Sequence, residues 1–299
     1  MEKQLKAVCF GEVLFDVFPD KERIGGAPLN VASRLSSLGI QTELISQVGK
    51  DEKGRQLLDY LKENRVGTAC VYIHDQFPTG VVNVSLSKSG GATYEIAFPA
   101  AWDKIKLQHE QVEIVQNADA FIFGSLACID EVSRETLFSL LENASYKVLD
   151  FNLRPPHYTK ELLLKLLQKA DFIKLNDDEL YEIAHMMNSP YHSLDQNLLY
   201  IAKNSAAKTI CVTKGSHGAV LYSNRKLFYN SGFKITVEDT VGAGDSFLAA
   251  LLSKILKGER EQDSLDYACA VGALVASKKG ANPALDPQML DEFLKGTSS

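Results

Sequence analysis

Short apolar runs alternate with helix-like periodicity along most of this chain. Ala7 to Phe18 is β-rich. After a polar turn, Pro28 to Leu38 carries apolar residues at Leu29, Ala32, Leu35 and Leu38 before Gly39, the pattern of a helix with proline in its first turn and a glycine stop. Thr42 to Val48 reads as strand, Asp51 to Glu63 as helix and Thr68 to Ile73 as strand. Ala120 to Gly124, Lys147 to Phe151, Phe172 to Leu175 and Thr209 to Thr213 are further short apolar runs, each separated from the next by a helical pattern. Alternation at this spacing predicts right-handed βαβ units and a parallel sheet covered by helices on both faces.

One segment breaks the alternation. Thr79 to Ser87 and Ala92 to Phe98 alternate apolar and polar residues about Lys88-Ser89-Gly90-Gly91, as the arms of a β-hairpin do. With strand-like Glu12 to Phe18 they could build a small lid on the main sheet, over about residues 12–20 and 77–103; an ordinary edge hairpin of the main sheet is the alternative. No repeat or low-complexity linker interrupts the chain, so a single domain over residues 1–299 is expected.

Composition narrows the function. The 299 residues are 45% hydrophobic and 23% charged, ordinary for a globular protein. A net charge of −6 with scattered Lys and Arg argues against a nucleic-acid or anionic membrane surface and favours a small-molecule partner. Cys9, Cys70, Cys128, Cys211 and Cys269 form no Cys-x-x-Cys pair and read as buried small hydrophobes in a reducing compartment. Met1 to Lys6 leads into a strand too short and too interrupted by charge for a signal peptide or membrane span, so a cytoplasmic protein is expected.

The most informative stretch runs from Thr236 to Leu252. A short β-prone run leads into Gly242-Ala243-Gly244-Asp245, which opens an Ala/Leu-rich helix. Unpaired N–H groups and the positive end of the macrodipole make such a helix start attract an anion, and glycines let the main chain approach it. Asp245 there either caps the helix or takes a proton from a hydroxyl attacking a bound phosphate. The loop reads as a phosphoryl-transfer site.

Other polar residues fall just after strands, where parallel α/β folds bind ligands. Asp16, Gly25, Gly26 and Asn30 could share hydrogen bonds with a polyhydroxylated ligand, or be turn residues. Asn152 and Arg154 follow the Lys147 strand. Asn176 with Glu179 resembles a capping box, and could also hold the waters around Mg²⁺. Thr213 to Gly218 is a glycine loop that approaches a nucleotide or simply turns between strands, and Gly280-Ala281-Asn282-Pro283 by itself is a helix stop. The histidines show no metal-ligand spacing, and no Gly-x-x-x-x-Gly-Lys-Ser/Thr loop is present.

In order along the chain, Gly25-Gly26-Ala27-Pro28-Leu29-Asn30-Val31-Ala32, Asn176-x-x-Glu179, Thr213-Lys214-Gly215 and Asp239-Thr240-Val241-Gly242-Ala243-Gly244-Asp245 resemble the motifs of the ribokinase-like (PfkB) sugar kinases. The first of these and Asp150-Phe151-Asn152-x-Arg154-Pro155 look most like fructokinases. The resemblance implies a three-layer α/β/α sandwich with a mostly parallel central sheet and a small β-sheet lid, often used for dimerisation. It implies Asp245 as general base and the Gly242, Ala243 and Gly244 amides as anion hole. It also implies Asp16, Gly25, Gly26 and Asn30 on the sugar, with Arg154 on substrate or a phosphate. Asn176 and Glu179 would organise Mg²⁺ and phosphates, Glu179 through water, and Thr213, Gly215, Gly218 and Asn282 would line ATP. Asp239 and the Val241 carbonyl match positions that bind a monovalent cation in some members, so K⁺ is a candidate ion.

The function so implied is ATP-dependent phosphorylation of a sugar's primary hydroxyl, fructose to fructose 6-phosphate first. The rivals are 2-keto-3-deoxygluconate, ribose or a nucleoside as acceptor, the last with Phe98 and Trp102 as an aromatic pocket, and a non-catalytic sugar-binding regulator.

Overall fold

In the computed structural model, which describes residues 3–86 and 92–295, the chain divides into two compact units, Met1–Ser145 and Tyr146–Ser299. The first runs β1 (Lys6–Phe10), β2 (Leu14–Val17), β3 (Glu22–Gly25), α1 (Ala27–Ser37), β4 (Gln41–Gly49), α2 (Glu52–Glu63), β5 (Val71–His74), β6 (Gly80–Leu86), β7 (Ala92–Ile96), α3 (His109–Gln116), β8 (Ala120–Gly124) and α4 (Glu131–Leu141). Strands β8, β1, β4 and β5 are parallel neighbours in that order. Their runs are continuous rather than alternating because both faces are covered: Val8, Cys9 and Phe10 of β1 and Phe121, Ile122 and Phe123 of β8 are all buried.

A smaller sheet has the order β3-β2-β6-β7, antiparallel within β2–β3 and β6–β7 and parallel between β2 and β6. It contains the expected hairpin arms and part of the Glu12 to Phe18 run. The Lys88 to Gly91 turn, with Ser87, lies outside the described residues. The β-rich run from Ala7 to Phe18 forms β1 and β2, parted at Gly11, whose amide donates to the Ile45 carbonyl at 3.2 Å. One local reading needs correction: the expected polar turn after it contains β3, where Ile24 pairs opposite Phe15. Its charges sit on partners rather than in a loop: Arg23 lies over the Phe18 ring and Glu22 pairs with Lys53. Asp51 fixes the start of β6, accepting the Thr79 amide at 2.8 Å and its hydroxyl at 2.6 Å while it caps α2 through the Gly54 amide at 2.8 Å.

The second unit runs β9 (Lys147–Asp150), α5 (Lys160–Lys169), β10 (Phe172–Asn176), α6 (Asp177–Met186), α7 (Leu194–Lys203), β11 (Thr209–Thr213), β12 (Ala219–Ser223), β13 (Lys226–Asn230), α8 (Ala243–Leu256), α9 (Glu261–Ala276) and α10 (Pro287–Lys295). Strands β9, β10 and β11 are parallel, and β12 and β13 continue them antiparallel. The apolar helices α8 and α9 pack against each other, and α9 also against β12 and β13. A mostly parallel sheet flanked by helices is what the alternation of runs implied, and the separate smaller sheet holds the hairpin arms that break it.

The β-prone run before Gly242 is not a strand. From 231 to 242 the chain is irregular. The amides of Glu238 and Asp239 both donate to the Ala276 carbonyl at the end of α9, at 2.9 and 3.2 Å, which takes them away from any ladder. The five cysteines are buried and free, as expected. Among the described residues no helix is long and apolar enough to cross a membrane.

Candidate functional site

Helix α8 begins at a turn that only glycine adopts comfortably. Gly242, its N-cap, is left-handed with φ +73°, and a Cβ there would stand 2.5 Å from the Ala281 carbonyl oxygen. The turn is held from both sides. Asp239 accepts the Val241 amide on Oδ1 at 3.1 Å and the Gly280 amide on Oδ2 at 3.2 Å, fastening it to the segment that carries Asn282. The Ala243 amide donates to the Thr240 carbonyl at 3.2 Å and the Ser246 amide to that of Gly242 at 2.8 Å. Asp245 is the third residue of the helix and half-buried.

Beside this turn the second unit holds a cavity of about 410 Å³. It brings together Asn176, Thr213, Gly215, Gly218, Ala243 and Gly244 from the residues singled out in sequence, and adds an apolar wall from Phe233, Ile235, Val237, Phe247 and Ala273 that sequence reasoning missed. Glu179, Asp239, Gly242, Asp245, Arg154 and Asn282 are not among its lining. Thr213 to Gly218 turns from β11 into β12, with the Lys214 amide on the Gly218 carbonyl at 2.8 Å, and its glycines edge the cavity.

At the head of α6 the capping box is complete. Asn176 accepts the Glu179 amide and Glu179 Oε2 accepts the Asn176 amide, each at 2.8 Å. Glu179 Oε1 also accepts the Leu153 amide at 2.8 Å, which ties the loop after β9 to this helix. Burial pushes the Glu179 carboxyl up, against the opposing pull of Lys174. Arg154, exposed, donates from Nη1 to the Leu153 carbonyl at 3.0 Å.

Lys174 escaped the sequence reading altogether. It sits inside β10, 6% exposed, with its ammonium 3.0 and 3.3 Å from the two oxygens of Asp150. Parallel register places the two residues opposite each other on β10 and β9. A Cβ on Gly244 would stand 3.4 Å from Lys174 Nζ. Burial alone would pull its pKa down, but Asp150, Glu179 and Asp245 together hold it above its ordinary value, so the side chain is a fixed cation. The available signal was a lone lysine in the otherwise apolar run Phe172-Ile173-Lys174-Leu175.

In the first unit, Asp16 of β2 faces the strand bearing Gly25: a Cβ on Gly25 would lie 2.7 Å from Asp16 Oδ2. Gly26 caps α1 with φ +110°, and buried Asn30 donates its amide to the Gly26 carbonyl at 3.0 Å. Trp102 is 1% exposed and packed with Ala100 and Leu126, which removes it as a platform for a nucleobase; Phe98 is 53% exposed. Among the described residues no group of three or more His, Cys, Asp or Glu could hold a metal ion directly.

These features meet known proteins over nearly the whole chain. A probable fructokinase of Arabidopsis thaliana, fructokinase-7, is 30% identical over 329 aligned positions that cover 100% of this chain and 95% of the relative. The fold matches a crystal structure of fructokinase with bound ATP from Xylella fastidiosa with a TM-score of 0.87, at 24% identity, over 99% of this chain and 100% of the other. It also matches aminoimidazole riboside kinase from Salmonella enterica, complexed with aminoimidazole riboside and an ATP analogue, with a TM-score of 0.80, 24% identity and coverage of 97% and 99%. Residues 3–288 match the model of the pfkB family carbohydrate kinases. The chain is therefore a member of the pfkB family and a carbohydrate kinase.

Proposed function

We propose that this kinase transfers the γ-phosphate of ATP to the primary hydroxyl of a sugar, with fructose the first candidate and fructose 6-phosphate the product. The observation that carries the reading is the Gly242–Asp245 turn opening α8 beside the 410 Å³ cavity. The cavity fits a nucleotide on its own terms. Its apolar wall suits a flat base, and its glycines and the helix start suit phosphates.

In this reading Asp245 accepts the proton of the attacking hydroxyl. The amides of Gly242, Ala243 and Gly244 take up charge developing on the phosphoryl oxygens; Ala243 exchanges its long contact with Thr240 for that role. Phosphoryl transfer asks for alignment and charge stabilisation more than for a strong nucleophile, and a preformed turn supplies both. Thr213, Gly215, Gly218 and Asn282 hold the nucleotide. Asp16, Gly25, Gly26 and Asn30 bind sugar hydroxyls, and Arg154 meets substrate or a phosphate.

Asn176 and Glu179 fit a hydrated Mg²⁺: each Glu179 oxygen accepts one backbone amide and keeps a further lone pair for a water. When bound, Mg²⁺ neutralises charge on the phosphates. Asp239 and the Val241 carbonyl would hold K⁺. Two copies would meet through the small sheet, and the five buried thiols suit a cytoplasmic protein.

Support for fructose is the similarity to a probable fructokinase at 30% identity. A riboside acceptor has exposed Phe98 in its favour. The test is ADP release with ATP and Mg²⁺ over fructose, ribose, 2-keto-3-deoxygluconate, tagatose and adenosine, with and without K⁺. Fructose giving the highest kcat/KM supports the proposal. Preference for another acceptor replaces fructose, and sugar binding without product from any of them overturns catalysis.

A further inference from the structure

The buried pair formed by Lys174 and Asp150 has no part in the reading above, and its placement is expensive. Side-chain exposures of 8% and 5% put both charges out of water, and burying an ion pair is often no more stabilising than burying well-packed apolar residues. Stability alone gives a weak reason for a lysine at the centre of Phe172-Ile173-Lys174-Leu175. Its surroundings give a stronger one. Its ammonium has three carboxylates within electrostatic reach, those of Asp150, Glu179 and Asp245. It also lies under the first turn of α8, where a methyl group added at Gly244 would touch it at 3.4 Å.

Resting on the kinase reading, we propose that Lys174, anchored by Asp150, is a positioning residue that delivers a fixed positive charge to the underside of the Gly244–Asp245 turn. It does not line the cavity, so it acts through the turn rather than by touching the nucleotide. A charge at that place adds to the field of the α8 N-terminus in a region of low dielectric, where it favours an anion and attracts the Glu179 and Asp245 carboxylates. Asp150 has a different duty. Lying opposite Lys174 in the parallel register, it keeps the long side chain from swinging toward Glu179 or Asp245 alone.

Structural and electrostatic roles separate in a set of three variants. Lys174→Met leaves Asp150 buried without its cation and should lower both stability and kcat. Lys174→Met/Asp150→Asn removes both charges. It should regain most of the lost melting temperature and bind ADP by calorimetry as the wild type does, while kcat stays down about tenfold or more with KM for ATP and sugar within about threefold. Asp150→Asn alone keeps the ammonium and should lose far less kcat than Lys174→Met.

Recovery of kcat together with stability in the double variant overturns the proposal. If the double variant does not fold, equal losses of kcat in Lys174→Met and Asp150→Asn overturn it instead. The wild type is assayed in parallel. No product from it overturns the kinase reading and this inference with it, whereas normal wild-type turnover with an active double variant overturns the role of Lys174 alone.

Discussion

Glu179 Oε1 accepts the backbone amide of Leu153 at 2.8 Å, so the loop after β9 and the head of α6 are locked by one carboxylate. The other oxygen of Glu179 takes the Asn176 amide. Glutamine at this position accepts from only one of the two amides, because its NH₂ group faces the other donor. Glu179→Gln is expected to lower the unfolding free energy by about 1–3 kcal/mol, the usual cost of an unmet buried donor, and to raise the Mg²⁺ concentration needed for half-maximal turnover. Urea unfolding and a Mg²⁺ titration check this; no change in either would mean that the carboxylate is not needed at that point.

Gly242 concentrates two demands, a left-handed backbone and close approach to Ala281. Alanine would be strained at φ +73° and would press its methyl on the Ala281 carbonyl. The expected cost of Gly242→Ala is about 1–3 kcal/mol of stability, with kcat reduced about tenfold or more as the amides of the turn shift. Wild-type kcat in Gly242→Ala would contradict the anion-hole assignment.

Asp103 provides a pH signature independent of the site. It lies in a 3₁₀ turn, Ala101–Lys104, fully buried, with Oδ2 accepting the Ala100 amide at 2.7 Å. Burial, with Asp130 adding to it, raises its carboxyl to about 7. The folded state then keeps a proton that the unfolded chain has lost above about pH 4, so stability falls as pH rises from 4 towards 7 and the loss is complete above that. Asn keeps the acceptor for Ala100 and never ionises. Asp103→Asn is expected to be more stable than wild type by roughly 1–4 kcal/mol at pH 8, with the gap closing near pH 4. A gap independent of pH would rule out this titration.

Much of this architecture was legible because local rules and tertiary context agree. Runs such as Ala120 to Gly124 are strands because both their faces are buried, and the Asn176–Glu179 box is a local hydrogen-bond pattern visible in four residues. What escaped depends on non-local partners. Glu22 to Gly25 is polar enough to read as a turn, yet pairs with β2 and places its charges on Lys53 and Phe18. Thr236 to Val241 has β-branched residues, but the Glu238 and Asp239 amides go to the end of α9 and the Val241 amide to the Asp239 side chain. Lys174 reads as an interruption of an apolar run until the register with Asp150 is known. The glycine turn with Asp245 in the first turn of α8 was readable because it depends only on a short loop and the helix it opens.

Close contact between Asp16 and Gly25 yields a prediction for the sugar. A methyl group on Gly25 would stand 2.7 Å from Asp16 Oδ2 and displace the carboxylate. Gly25→Ala should raise KM for the sugar about tenfold, equivalent to about 1.4 kcal/mol of binding, while leaving KM for ATP within about twofold. Equal increases in both constants would count against Asp16 as a sugar ligand.

Turnover of Asp245→Asn probes the chemistry most directly. The amide keeps the size of the side chain and removes its capacity to accept a proton, so kcat should fall by roughly 10²- to 10⁴-fold while ATP binding by calorimetry largely survives. Near-normal kcat in Asp245→Asn would contradict a general base at this position and with it the proposed mechanism.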